Sequence, residues 1–264
     1  MGSLKAMFSF FTMIRLDITQ DDMDAMDRRF WMVPTVGVLY GLIAAAMMLT
    51  LTHYIAPLAA SVVTFFVIFA FNRFLHIDGT IDTGDGIVVA GTKEDHLRAL
   101  KDSRIGAGGM AFALMVILMS ITMAAAIWIP LMALLMFSAE VLAKVGMVSA
   151  AAFGEPGNGM AGNSVRNTTP LSLLYAILLA VMFMILFGAF IRLLQEHTAL
   201  PVMLMDNYLI FLAASLTVSV LTGLIMSAVA KKNFGMVNGD VLGATNEITR
   251  ATVLLTFLIL ISVI

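Results

Sequence analysis

Seven apolar runs, parted by turns and polar stretches, constrain this chain before anything else does. They cover about Trp31–Thr52, Pro57–Phe74, Ala107–Ile129, Leu131–Ala152, Leu171–Arg192, Asn207–Ala230 and Ala251–Ile264. A helix needs about 20 apolar residues to cross the hydrocarbon layer of a membrane. The first six runs are long enough, and the last becomes so if its helix starts back near Asn238. A soluble domain would carry about 25% charged residues, whereas the share here is 12%, with 61% hydrophobic. The expected fold is all-α, a polytopic membrane bundle of about seven transmembrane helices forming one domain over residues 1–264. Membrane lipid is the partner this composition implies. A net charge of −2 does not suit a nucleic-acid partner. The absence of cysteine excludes disulfides, thiolate metal sites and cysteine nucleophiles.

The 22 methionines read as adaptable packing. Met1–Arg29 has no clean apolar core and carries five aspartates, so it is expected to be retained rather than cleaved as a signal peptide. Residues 1–30 read either as a cytosolic tail or as a short interfacial helix presenting Leu4, Met7, Phe8, Phe10, Phe11 and Ile14.

Three polar segments interrupt the apolar runs: 72–106, 153–170 and 231–250. The first opens with His76-Ile-Asp-Gly-Thr-Ile-Asp-Thr-Gly-Asp-Gly86, which sets Asp78, Asp82 and Asp85 close together. In a helix, steps of four and three residues bring all three side chains within an arc of about 60°. Charge runs are usually solvated, but carboxylates close to membrane depth are costly and usually serve a site. Clustered anions repel unless a cation lies among them, and an oxygen-seeking ion such as Mg²⁺ or Ca²⁺ is the simplest one. Gly79, Gly84 and Gly86 weaken the helix but let backbone approach closely. Leu97 and Leu100 suggest a short amphipathic helix before Lys101.

In the last polar segment Asp240 and Glu247 are seven residues apart and share a helix face. Glu140 and Lys144, an i, i+4 pair in the fourth run, either neutralise each other or turn Lys144 to an anionic substrate. The glycine-rich stretch 153–170 reads as a loop, a substrate lid or an idle connector.

With the N-terminus inside, every one of the 15 basic residues except Arg192 falls on the cytoplasmic side. The three polar segments then share that side, so a site facing the cytoplasm is expected. No phosphate-binding Walker loop, Gly-x-Ser-x-Gly elbow or His-Glu-x-x-His helix is present. Carboxylates near Lys93, Lys101, Arg104 and Lys144 suit a metal-assisted transferase acting on a phosphorus ester of a nucleotide. A carboxylate would take the proton of the attacking alcohol.

Four stretches carry a resemblance: Phe8-Ser-Phe-Phe-Thr12, the His76–Gly86 block, Lys101-Asp-Ser-Arg-Ile-Gly-Ala107, and Gly239-Asp-Val-Leu-Gly-Ala244 with Glu247. Their order and spacing resemble the cobalamin (cobamide) synthase family, the adenosylcobinamide-GDP ribazoletransferases of the cell membrane. The resemblance implies attack by α-ribazole, or its 5′-phosphate, on adenosylcobinamide-GDP, with release of GMP and a need for Mg²⁺. It implies catalytic and metal-binding roles for Asp78, Asp82 and Asp85, and metal-binding roles for Asp240 and Glu247. It implies substrate-binding roles for His76, Lys101, Asp102, Arg104 and Lys144.

Lys144 stands where the family usually has arginine, Arg250 where it often has a second glutamate, and the glycine-rich stretch departs from the family text. A CDP-alcohol phosphatidyltransferase-like enzyme is the nearest alternative, though its Asp-Gly-x-x-Ala-Arg text is missing. An ion-coupled transporter is the other. The lower base, the phosphorylation of ribazole and a homo-oligomeric state are left open.

Overall fold

The computed structural model describes residues 2–127, 129–195 and 208–263. The expected starts and ends at Asn207 and Ile264 lie outside them. The helices are α1 (Gly2–Phe11), α2 (Gln20–Arg28), α3 (Pro34–Leu51), α4 (Pro57–Phe71), α5 (Leu75–Val88) and α6 (Lys93–Leu100). They continue as α7 (Ala107–Ala126), α8 (Ile129–Phe153), α9 (Met160–Asn167), α10 (Pro170–Gln195), α11 (Tyr208–Asn233) and α12 (Gly239–Val263). Among the described residues the β structure is one isolated bridge, Pro156 with Val237.

Six helices are long and apolar enough to cross a membrane, and α4 with α5 makes a seventh if the bent pair is one span. The outer faces of α7, α10 and α11 expose Met115, Leu178, Leu186 and Ile225, a surface suited to lipid. This is a multi-pass membrane protein.

α8 is the hub. Every residue from Leu131 to Ala151 is buried, against α3, α10, α11 and α12. Its crossing with α3 is close because Gly37 and Gly41 face it. A Cβ at Gly41 would lie 2.8 Å from the Phe137 carbonyl oxygen, and one at Gly37 2.8 Å from that of Glu140. Such a small-xxx-small face lets two membrane helices pack backbone to backbone.

The second apolar run does not continue straight to Phe74. α4 stops at Phe71, and α5 leaves at 92° to it. Arg73 and Phe74 make the corner with φ of 57° and 58°, left-handed conformations that cost non-glycine residues about 1–3 kcal/mol each. Two bonds hold the corner: Phe74 N donates to Phe69 O at 2.7 Å, and Arg73 Nη2 donates to Phe10 O at 2.7 Å. α5 thus turns away from the spanning direction, and we place it outside the spanning segments.

At the N-terminus α1 is a helix that enters the protein core, with Ala6 and Met7 wholly buried. Its last carbonyls are taken by Arg73 and by the Tyr40 hydroxyl of α3. α6 forms as the Leu97–Leu100 spacing suggests, started by a Thr92–Asp95 capping box. Lys144 and Arg250 are buried in the bundle, so neither contributes to loop charge.

The glycine-rich stretch is pinned at its start. Val237 N donates to Glu155 O at 2.7 Å and Gly157 N to Val237 O at 3.1 Å, and the stretch then winds into α9. The Gly41→Leu variant should open the α3–α8 crossing and cost about 1–3 kcal/mol, read as a lower thermal midpoint in detergent.

Candidate active site

α5 and α12 meet through glycine. A Cβ on Gly79 would lie 2.8 Å from Asp240 Cα, and one on Gly243 3.2 Å from His76 Cα. That contact brings the acidic motif to the first turn of α12. Asn238 caps this turn by accepting from Val241 N at 3.1 Å, and its amide nitrogen donates to Asp240 Oδ2 at 2.7 Å.

Asp78 is exposed, while Asp82 and Asp240 are half-buried. Burial first, then the charges of Asp240, Asp78 and Asp85, push the Asp82 carboxyl up to about 6. Among the described residues no cation offsets them. Asp85 stands apart, because both its oxygens are engaged by the N-terminus of α7. Gly106 N and Gly109 N donate to Asp85 Oδ2 and Oδ1 at 2.7 Å each. It thereby supplies the anion that a helix N-terminus favours.

Glu247 was expected beside Asp240. Seven residues of helix place it about 10 Å deeper, in a buried ionic cluster. Arg250 Nε and Nη2 donate to the two oxygens of Glu140 at 2.6 and 3.0 Å, and Arg250 Nη1 donates to Glu247. Lys144 does not pair with Glu140 as the i, i+4 spacing suggested. Its Nζ donates to Asn246 Oδ1 at 2.6 Å, and Asn246 Nδ2 donates to Glu247 Oε1 at 3.0 Å. The sequence signal for Arg250 was present: a lone guanidinium in one apolar helix implies a lone carboxylate in another.

Between α1, α2, α5, α8, α9 and α12 lies a cavity of about 110 Å³. Its walls are mostly apolar, and His76, Asp78, Ser164 and Asp240 are its polar members. Ser164 is already committed, donating to the buried Asp27 at 2.6 Å. Sequence reasoning missed Met26, Phe30, Met160 and Ser164 as cavity walls, since nothing in their local pattern marks them.

Of the expected substrate-binding residues, only His76 lines this cavity. Lys144 is enclosed in the bundle. Lys101 and Arg104 are exposed. Arg104 pairs with Asp102 at 2.8 Å, and its hydrogen bonds hold that carboxyl down to about 2. Asp102 and Arg104 line an open groove with Asp85.

Among the described residues no three His, Asp or Glu side chains gather closely enough to cage an ion. Mg²⁺ does not need such a cage, because it keeps water and takes one or two carboxylates with phosphate oxygens. Asp78, Asp82 and Asp240, uncompensated and partly open to solvent, fit that mode.

Residues 3–258 match the model of the cobalamin-5-phosphate synthase family. The chain belongs to that family. A relative from Methanocella arvoryzae, named adenosylcobinamide-GDP ribazoletransferase, is 32% identical over 266 residues, 96% of this chain and 94% of its own. A relative of the same name from Methanosarcina mazei is 30% identical, covering 96% of this chain and 90% of its own. Another from Pyrococcus furiosus is 27% identical, covering 96% and 97%. No solved structure matches. The family match runs through α1, the acidic motif and α12, the same elements that enclose the cavity.

Two variants separate structural acids from functional ones. Glu140→Ala strips the Arg250 charge of a buried partner and should cost roughly 3–5 kcal/mol, seen as a much lower thermal midpoint. Asp82→Asn should do the opposite. The raised carboxyl of Asp82 favours the folded state below its unfolded value of 3.8, and this is lost as pH rises through about 6. The asparagine variant should therefore melt higher than the parent at pH 7 in chelator, with the gain vanishing near pH 4.

Proposed function

We propose that this chain is an adenosylcobinamide-GDP ribazoletransferase, joining adenosylcobinamide-GDP to α-ribazole or its 5′-phosphate with release of GMP. The observation that carries this reading is the pair of carboxylates, Asp78 and Asp240, in the wall of an apolar cavity, with Asp82 close enough to feel both charges, in a chain of this family. One or two of the carboxylates of Asp78, Asp82 and Asp240, with phosphate oxygens of the substrate, would hold Mg²⁺. When bound, that ion supplies positive charge against the diphosphate. Asp85 and Glu247 support the site from outside that set: Asp85 fixes the start of α7 beside α5, and Glu247 holds Arg250 and so the register of α12.

Lys101 and Arg104, at the solvent side, would meet the anionic nucleotide. The Arg104–Asp102 pair is exposed and therefore weak enough to exchange partners. The hydroxyl of the ribazole attacks the phosphate attached to cobinamide, the bond to GMP breaks, and GMP carries the displaced charge away. A carboxylate of this acidic group that is not engaged by the ion would accept the hydroxyl proton. We place the acidic end of the bundle at the cytoplasmic side, with the N-terminus inside, because the basic loops gather there.

The test is GMP release by protein purified in liposomes, supplied with adenosylcobinamide-GDP, α-ribazole and Mg²⁺. Turnover that vanishes without ribazole supports the reading. CMP release from a CDP-alcohol, or solute uptake without turnover, would replace it. Asp82→Asn should cut turnover on the order of a hundredfold or more while the protein stays monodisperse. Protons compete with the metal at Asp82, so the Mg²⁺ concentration for half-maximal rate should climb as pH falls below about 6.

A further inference from the structure

The walls of the cavity are Phe10, Phe11 and Phe30 with Met26, Met147 and Met160. Three aromatic rings and three thioethers form a surface for a flat apolar ring, one that also yields to changes in its substituents. An apolar cavity of roughly 150 Å³ takes a benzene ring, so an enclosed volume of about 110 Å³ takes in part of a small ring system, the rest lying at the rim by the exposed Met160, and excludes a corrin macrocycle.

One buried polar atom in the wall has no partner among the described residues. His76 is 1% exposed, and its Nε2 is buried with no hydrogen-bond partner among the described residues. Asn72 Nδ2 lies 3.4 Å from His76 Nδ1, and the tautomer that accepts from it there carries its proton on Nε2. Glu247 Oε1, 3.6 Å from Nδ1, lies beyond hydrogen-bond reach. A buried donor without an acceptor is costly and calls for one from a ligand.

We infer that this cavity receives the flat heteroaromatic base of the incoming nucleoside, with His76 Nε2 donating to the free nitrogen of that ring. The inference rests on the transferase reading and assigns one of its two substrates to a place. A guanine would bring several donors and acceptors, and apart from the carboxylates assigned to the ion and the committed Ser164 the walls offer His76 Nε2 alone to pair them, so each group left unpaired is penalised. A benzimidazole-type base brings one acceptor. Asp78 and Asp240 line the same cavity, so a base seated among the phenylalanines leaves its sugar hydroxyl toward the carboxylates.

Calorimetric titration of the full chain in detergent tests this, using α-ribazole, its analogue with CH in place of the free ring nitrogen, and adenosylcobinamide-GDP. Met160, 60% exposed, tolerates substitution at the rim, and Met160→Trp should weaken α-ribazole by about tenfold or more, with a smaller effect on adenosylcobinamide-GDP. The CH analogue should bind the parent about tenfold more weakly than α-ribazole, and the two should bind alike in His76→Leu. Unchanged α-ribazole affinity in Met160→Trp overturns the inference, as does equal binding of the two nucleosides by the parent. A protein that releases GMP but loses adenosylcobinamide-GDP instead in Met160→Trp overturns the inference and leaves the transferase reading standing. A parent that binds neither substrate overturns both.

Discussion

The guanidinium of Arg250 is the contact on which the rest of the structure depends. It is 1% exposed, forked onto Glu140 of α8 and bonded again to Glu247 on its own helix. Water cannot substitute for either partner at that depth, so the two helices have one register in which all the charge is matched. Phe65 and Phe69 of α4 close the other side, each ring centred 5.6 Å from the guanidinium carbon. With α12 fixed in this way, Asp240 two turns above Glu247 has a fixed position as well. The carboxylates at the surface are placed by a carboxylate pair that never sees solvent.

α5 is fixed by different means. Its direction comes from two left-handed residues and its depth from glycine contacts at Gly79 and Gly243. Neither device uses the aspartates themselves, which leaves the side chains of Asp78 and Asp82 without hydrogen-bond or ion-pair partners among the described residues. Asp85 shows the contrast: it is spent on the amides of Gly106 and Gly109 and anchors α7. Three acids that look alike in the sequence thus divide: Asp85 holds the fold, Asp78 lines the cavity, and Asp82 lies near Asp78 and Asp240 outside that lining.

Much of the fold was legible. The apolar runs become helices, the last starts at Gly239 next to the expected Asn238, and the acidic motif is helical. These features are local, set by hydropathy, caps and period. What was not legible was who pairs with whom. Glu140 and Lys144 have ideal helical spacing, yet each finds a better partner on α12, more than a hundred residues away. Asp240 and Glu247 share a helix and serve different depths. The cavity walls at Phe11, Met26 and Met160 come from three elements that meet only in the folded bundle, and their side chains look like ordinary packing.

α8 is enclosed on every side, and its one acidic side chain is matched by the final helix. During synthesis the fourth apolar run leaves the ribosome well before α12 exists, so Glu140 enters the bilayer with no guanidinium to meet it. The acid then has no partner on α12, and the bundle can seal around α8 only when the last segment arrives. Completion of the chain and closure of its interior are therefore one event, which leaves a prematurely terminated product marked by an unmatched acid in its centre for quality control to find.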